Sequence, residues 1–141
     1  MKRSRSIALV AAFASPAAAE SLSETPYGQV RTAVEGMEGL ITDLDEKIER
    51  RRNRNRGKAV ECLQDHRASI ASLRDLSSIQ RARLVEAMAD GEPLVVEEAH
   101  RNVMLWHIKA RVHHDAVGAC PSQSEYDLAK SIAEIEALAK D

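Results

Sequence analysis

From Pro26 onward, apolar residues return at intervals of three and four rather than two, which reads as helix rather than strand. The clearest run is Val30, Val34, Met37, Ile41, Leu44 and Ile48, with spacings of four, three, four, three and four. Such a heptad seam packs helix against helix. Thr25 stands where an N-cap hydroxyl can accept from a free backbone N–H, and Pro26 takes the first helical position, where its missing N–H has no partner to lose. A first helix is therefore predicted from Pro26 to about Arg52. Gly36 and Gly39 oppose it by about 1 kcal/mol each relative to alanine, and the regularity of the seam outweighs them. The stretch RRNRNRGK ends it, with cations at the negative helix terminus and Gly57 available for a left-handed residue.

A second seam reads Ala59, Leu63, His66, Ile70, Leu73, then Leu76 or Ser77, Gln80, Leu84 and Met88. It predicts a helix from about Lys58 to Ala89, with a slip over Leu76-Ser77-Ser78-Ile79 that leaves its continuity there open to a bend or break. Asp90-Gly91-Glu92-Pro93 is a stop followed by a start. A third helix, about Pro93 to Val117, carries Ala99, Val103, Trp106, Ala110 and Val117 on its main apolar face, and Met104, Leu105, Ile108 and Val112 on the far side. Two apolar strips predict two neighbours. Gly118 and Pro121 end this helix, and Ser122 with Glu125 forms a capping-box pattern for a fourth, about Gln123 to Ala139, lined by Leu128, Ile132, Ile135 and Leu138. The expected fold is all-α: a compact antiparallel helical bundle of three long helices plus a short C-terminal helix, spanning residues 26–141 as one domain after a polar arm at 20–25.

The first residues change where this bundle is expected to work. Lys2, Arg3 and Arg5 precede an apolar run from Ile7 to Ala14, and Ala17-Ala18-Ala19 supplies small residues for cleavage, the pattern of a secretory signal peptide over residues 1–19. Later stretches carry charges too often to cross a membrane, so a periplasmic or secreted product is expected, with no transmembrane segment in the mature chain. Cleavage after Ala19 leaves 122 of the 141 residues and shifts the formal net charge from −2 to −5, because three cations and no acids are removed. That balance argues against general nucleic-acid binding. One Trp, one Phe and two Tyr among abundant Ala, Leu, Glu and Arg favour helix over sheet.

In an exported protein an even cysteine count predicts oxidation. Cys62 lies one turn into the second helix and Cys120 just past the end of the third, so antiparallel packing of those helices makes them neighbours and predicts a Cys62–Cys120 disulfide. Closing a loop of that length would stabilise the fold by roughly 4 kcal/mol in the chain-entropy model. No CxxC spacing marks the pair as a reactive or metal-binding dithiol.

Four of the five histidines lie between residues 99 and 120. His100, His107 and His114 share one azimuth at heptad steps, drifting by about 20° per step, while His113 points elsewhere. With Met104 beside the row and His66 on the second helix, the set His100, Met104, His107 and His66 offers imidazole and thioether ligands of the kind that bind Cu or Zn. Successive row members are about 10.5 Å apart along the axis, whereas ligands sit about 2 Å from zinc. The row alone therefore reads as packing, and metal binding is the alternative reading.

Arg51, Arg52, Arg54 and Arg56, flanked by Arg50 and Lys58, form the densest charge cluster and a candidate contact for phosphate, an anionic glycan or another anionic surface. No GxSxG, HExxH, CxxCH or glycine-rich phosphate loop occurs, so no catalytic residue is assigned and a non-enzymatic role is expected, with no cofactor.

Taken together, Met37 in a long first helix, the basic turn, "KAVECL", "LVEAMADGEP", "EEAHRNV" and "AVGACP" resemble a group of small exported bacterial helical proteins of uncharacterised function, whose signature is two cysteines bracketing a helical hairpin. The segment "LSSIQ" at Leu76 to Gln80 is similar to the LTxxQ motif of periplasmic stress and metal-tolerance proteins of the CpxP and Spy kind, with Ser77 in place of threonine and a single copy here. The first resemblance implies no activity, and the expected role stays a non-catalytic interaction or structural module in the cell envelope; the second implies the alternative, a metal-binding or envelope-stress protein.

Overall fold

A computed structural model describes residues 24–54, 57–121 and 123–140, apart from the side chains at 58 and 123–126. Helix α1 is Pro26–Asn53, α2 is Gly57–Asp90 and α3 is Pro93–Ala116. A 3-10 turn at Val117–Ala119 follows, and then α4 at Gln123–Ala139. The expected signal peptide lies outside the described residues, as does Ser122 of the capping-box pattern. Among the described residues, no helix is long and apolar enough to cross a membrane.

Local chemistry explains the helix ends. Thr25 is extended (φ −66°, ψ 153°), and its Oγ1 accepts from the Gly28 N–H at 3.1 Å, as an N-cap should. Gly91 is left-handed (φ 66°), so the chain leaves α2 there and re-enters helix at Pro93. Gly57, expected to supply a left-handed residue after α1, is instead the first residue of α2. Gly91 is the one glycine with positive φ among the described residues. Helix α1 closes on Arg54, whose N–H donates to the Arg51 and Arg52 carbonyls.

The core is where the three seams meet. Val30, Val34, Met37, Ile41, Leu44 and Ile48 of α1 are all buried, together with Leu63, Ile70 and Leu84 of α2 and Ala99, Val103, Ala110 and Val117 beyond Pro93. Burying each large aliphatic side chain contributes about 1.5–3 kcal/mol, so the seams supply most of the fold's stability. Helices α1 and α2 run antiparallel, as the ion pair of Arg67 with Asp45 and the contact of Ser77 with Met37 show. Helices α2 and α3 are also antiparallel, with Arg83 pairing to Glu98 near one end and Cys62 joined to Cys120 at the other. Helices α1 and α3 are therefore parallel.

Helix α2 is unbroken: one α-helix covers Gly57–Asp90. The apparent slip arises from reading Leu76 as the seam residue. Ser77 is 0% exposed and Leu76 45% exposed, so the heptad continues through serine. The Ser77 Oγ reaches the Met37 Sδ at 3.7 Å, giving the hydroxyl a weak partner in the core.

Helix α4 stands apart. It packs lightly against α2, and every described side chain from 127 to 140 is exposed. The second strip of α3 is not covered by it. Leu105, Ile108 and Val112 are exposed, while Met104 packs against the core.

Candidate functional site

The parallel packing of α1 and α3 fixes the histidine row. His100 Nε2 meets the Gln29 side-chain oxygen at 2.5 Å, and His114 Nε2 meets an Asp43 carboxylate oxygen at 2.6 Å. Between them the His107 ring lies on Gly36, where an added Cβ would come within 2.9 Å of Nε2. Each pair is 71 positions apart. Residues seven apart on α3 thus face residues seven apart on α1, a ladder that keys the two helices in register. Asp43 also binds Lys47 at 2.9 Å. That hydrogen bond first, and the one to His114 second, hold the Asp43 carboxyl below its ordinary range. Burial, aided by the positive charge of Arg111, pushes His107 below the usual imidazole value.

His66 does not join this row. It lies on α2 one turn after Cys62, and its Nδ1 is 3.1 Å from the Nδ1 of His113, with the two rings tilted at 55° and their centroids 5.4 Å apart. The set His100, Met104, His107 and His66 is therefore not gathered at one point. His100 and His107 are spent on α1, Met104 packs into the core, and His66 turns to His113.

Cys62 and Cys120 form a disulfide, with Cα atoms 5.8 Å apart, across the ends of α2 and α3. It ties the start of α2 to the chain leaving α3. Beside it stands the imidazole pair. The ligand atoms of Cys62, His66 and Cys120 all lie within 4.8 Å of one another, a grouping compact enough for one metal ion. Spacing along the chain shows the cysteines and the histidines as separate sets and does not reveal this grouping. The available signal was the Cys62-x3-His66 step, which puts both on one face of α2, set against His113 and Cys120 seven apart at the end of α3.

Next to His113 a groove of about 320 Å³ opens between α2 and α3, lined by Ser69, Ser72, Leu73, Ile108, Lys109 and Val112. Its walls are mostly aliphatic. The basic turn borders a second, more polar depression of about 470 Å³. Arg51 is half-buried, Arg52 and Arg54 are exposed, and Arg56 falls outside the described residues. Arg52 lines that depression with Arg67, and the same depression holds the carboxylates of Asp45 and Glu49.

Comparison with known protein families, with curated proteins and with solved structures finds no match for this chain.

Proposed function

We propose that this protein is an exported, disulfide-stapled helical module that works by non-catalytic binding of a partner protein in the cell envelope. The observation that carries the reading is the apolar stripe of α4: Leu128, Ile132, Ile135 and Leu138 recur at helical spacing, and their exposure runs from 47% at Ile132 to 75% at Leu138. A helix in water buries such a stripe against something. The uncovered strip of Leu105, Ile108 and Val112 on α3 adds a second apolar surface outside the core. A rigid three-helix core with a projecting amphipathic arm suits a partner that brings an apolar helix of its own. Export is supported by the leader-like pattern of residues 1–19 and by the disulfide, a bond that persists in oxidising compartments.

The test is expression of the full chain in a Gram-negative host, with a photo-crosslinking residue at Ile135, at Ile108 or, as control, at the exposed Thr42 on α1. A periplasmic product beginning near Glu20, with a discrete adduct from Ile135 or Ile108 and none from Thr42, supports the reading. Retention of the leader in the cytoplasm, or equal adducts from all three positions, overturns it. An adduct of twice the chain mass would identify the partner helix as that of a second copy.

A further inference from the structure

We propose that Cys62, Cys120, His66 and His113 are a zinc site masked by its own disulfide. When a dithiol reductant opens the bond, the four side chains close on one ion.

Three of the four donors are already assembled. Cys62 and His66 share a face of α2, the covalent bond brings Cys120 to them, and the ligand atoms of these three lie within 4.8 Å of one another. His113 supplies the fourth donor, with its Nδ1 3.1 Å from that of His66. Two imidazole nitrogens bound to one tetrahedral zinc at about 2.0–2.1 Å stand roughly 3.3–3.4 Å apart, so the imidazole pair needs only a small adjustment. The thiolates must separate to roughly 3.8 Å to bind at about 2.3 Å, a movement that rotation about each Cα–Cβ bond allows once the S–S bond is gone. The pair has its own reason to accept an ion. Two facing neutral imidazole nitrogens can satisfy each other with one hydrogen only, whereas a cation accepts both lone pairs.

Charge and donor type select the metal. Two thiolates and two neutral imidazoles balance Zn²⁺, leaving a neutral, partly buried site, and a tetrahedral S₂N₂ set favours zinc over the oxygen-seeking cations. The chemistry balances in two steps. A dithiol reductant passes two electrons and two protons to the disulfide and becomes a disulfide itself, leaving thiols at Cys62 and Cys120. Zn²⁺ then binds, and the two thiol protons leave to solvent. The site holds a covalent staple when oxidised and a metal staple when reduced, at the same junction of α2 and α3. The bundle therefore keeps one cross-link there in either redox state.

The experiment is titration of ZnSO₄ into the full chain, oxidised and after reduction with removal of the reductant, read by calorimetry and zinc-edge X-ray absorption. One zinc per reduced chain is expected, with two sulfur and two nitrogen neighbours and an affinity more than about 100-fold above that of the oxidised chain. His66→Ala and His113→Ala should each weaken zinc binding by reduced chain while leaving oxidation to the disulfide intact. His100→Ala/His107→Ala should not change it. Circular dichroism of reduced chain with and without zinc covers the case in which reduction loosens the fold, because zinc should then restore helix and raise Tm, and should fail to do so in His66→Ala/His113→Ala. Equal binding by oxidised and reduced chain, absence of sulfur from the zinc shell, or undiminished binding in the histidine variants each overturns the proposal.

Discussion

His107 of α3 rests against the backbone of α1 at Gly36, its Nε2 2.9 Å from the point where a Cβ would stand. Gly39, three residues on in the same helix, has nothing within 4 Å of its corresponding point. The two glycines therefore have different reasons to be glycine. Gly39→Ala should gain the helix-propensity difference of about 1 kcal/mol. Gly36→Ala should gain less or lose stability, because the imidazole must leave its seat. In a His107→Ala background the two substitutions should become alike. Urea unfolding of the native chain and the five variants measures this, and additive effects of Gly36→Ala and His107→Ala would contradict the contact.

The same ring sets a pH dependence. Burial, with Arg111 in support, lowers the folded-state pKa of His107 below its ordinary value of 6.5. The unfolded chain then binds the proton more readily than the native one. The resulting stability is present in full above about pH 6.5 and is lost as pH falls below it, until the native imidazole also titrates. His107→Gln should flatten that limb of the stability curve. An NMR titration of His107 with a midpoint at or above the ordinary imidazole value would contradict the assignment.

At the other end of the ladder Asp43 is held below the ordinary carboxylate value, first by Lys47 and then by His114. A depressed carboxylate contributes stability above its unfolded pKa, and the contribution fades as pH falls through the folded value. Lys47→Met should raise the Asp43 midpoint in a carboxyl-carbon NMR titration, and His114→Gln should raise it by less. An unchanged midpoint in Lys47→Met would contradict the Lys47–Asp43 hydrogen bond as the main cause of the lowered value.

The four helices, their caps at Thr25 and Pro26 and the stop at Gly91 were legible because each depends on neighbours within one or two turns. The Cys62–Cys120 bond was legible because antiparallel packing leaves little choice about which helix ends meet. What spacing could not show was which residue of Leu76 and Ser77 faces inward. Hydropathy favoured leucine, whereas the heptad phase set by Ile70 and Leu84 required serine. The partners of the histidines were hidden for a related reason. A row on one helix is visible in one sequence stretch, but whether it meets Gln29, Gly36 and Asp43 or a metal depends on the relative register of two helices.

Ser77 offers a direct measure of how tightly that phase is enforced. Its side chain is fully buried against Met37. Ser77→Leu, which would restore apolar character to the seam, adds volume to a filled layer and should cost about 1–3 kcal/mol. Ser77→Ala should be close to neutral, since the thioether is a weak acceptor. Leu76→Ser, on the exposed side, should also be nearly silent. A silent Ser77→Leu together with a clearly destabilised Leu76→Ser protein would place the seam at Leu76 after all.

Among the described residues, helix α4 contributes no side chain to the buried core, whose members all lie between Val30 and Val117. Ending the chain at Ser122 should therefore leave the unfolding free energy within about 0.5 kcal/mol of the full chain, the range of surface changes that touch no buried feature. The Cys62–Cys120 bond would remain and would hold the free end of α3 in place. Helical signal should fall by the share that α4 contributes, while the cooperative transition of the three-helix core stays put. Partner capture through Ile135 should vanish at the same time. If the shortened protein instead unfolds several kcal/mol more easily, Leu128, Ile132, Ile135 and Leu138 are closing over the bundle in solution. Their exposure would then reflect an open arm in equilibrium with a packed one, rather than a surface kept for a partner.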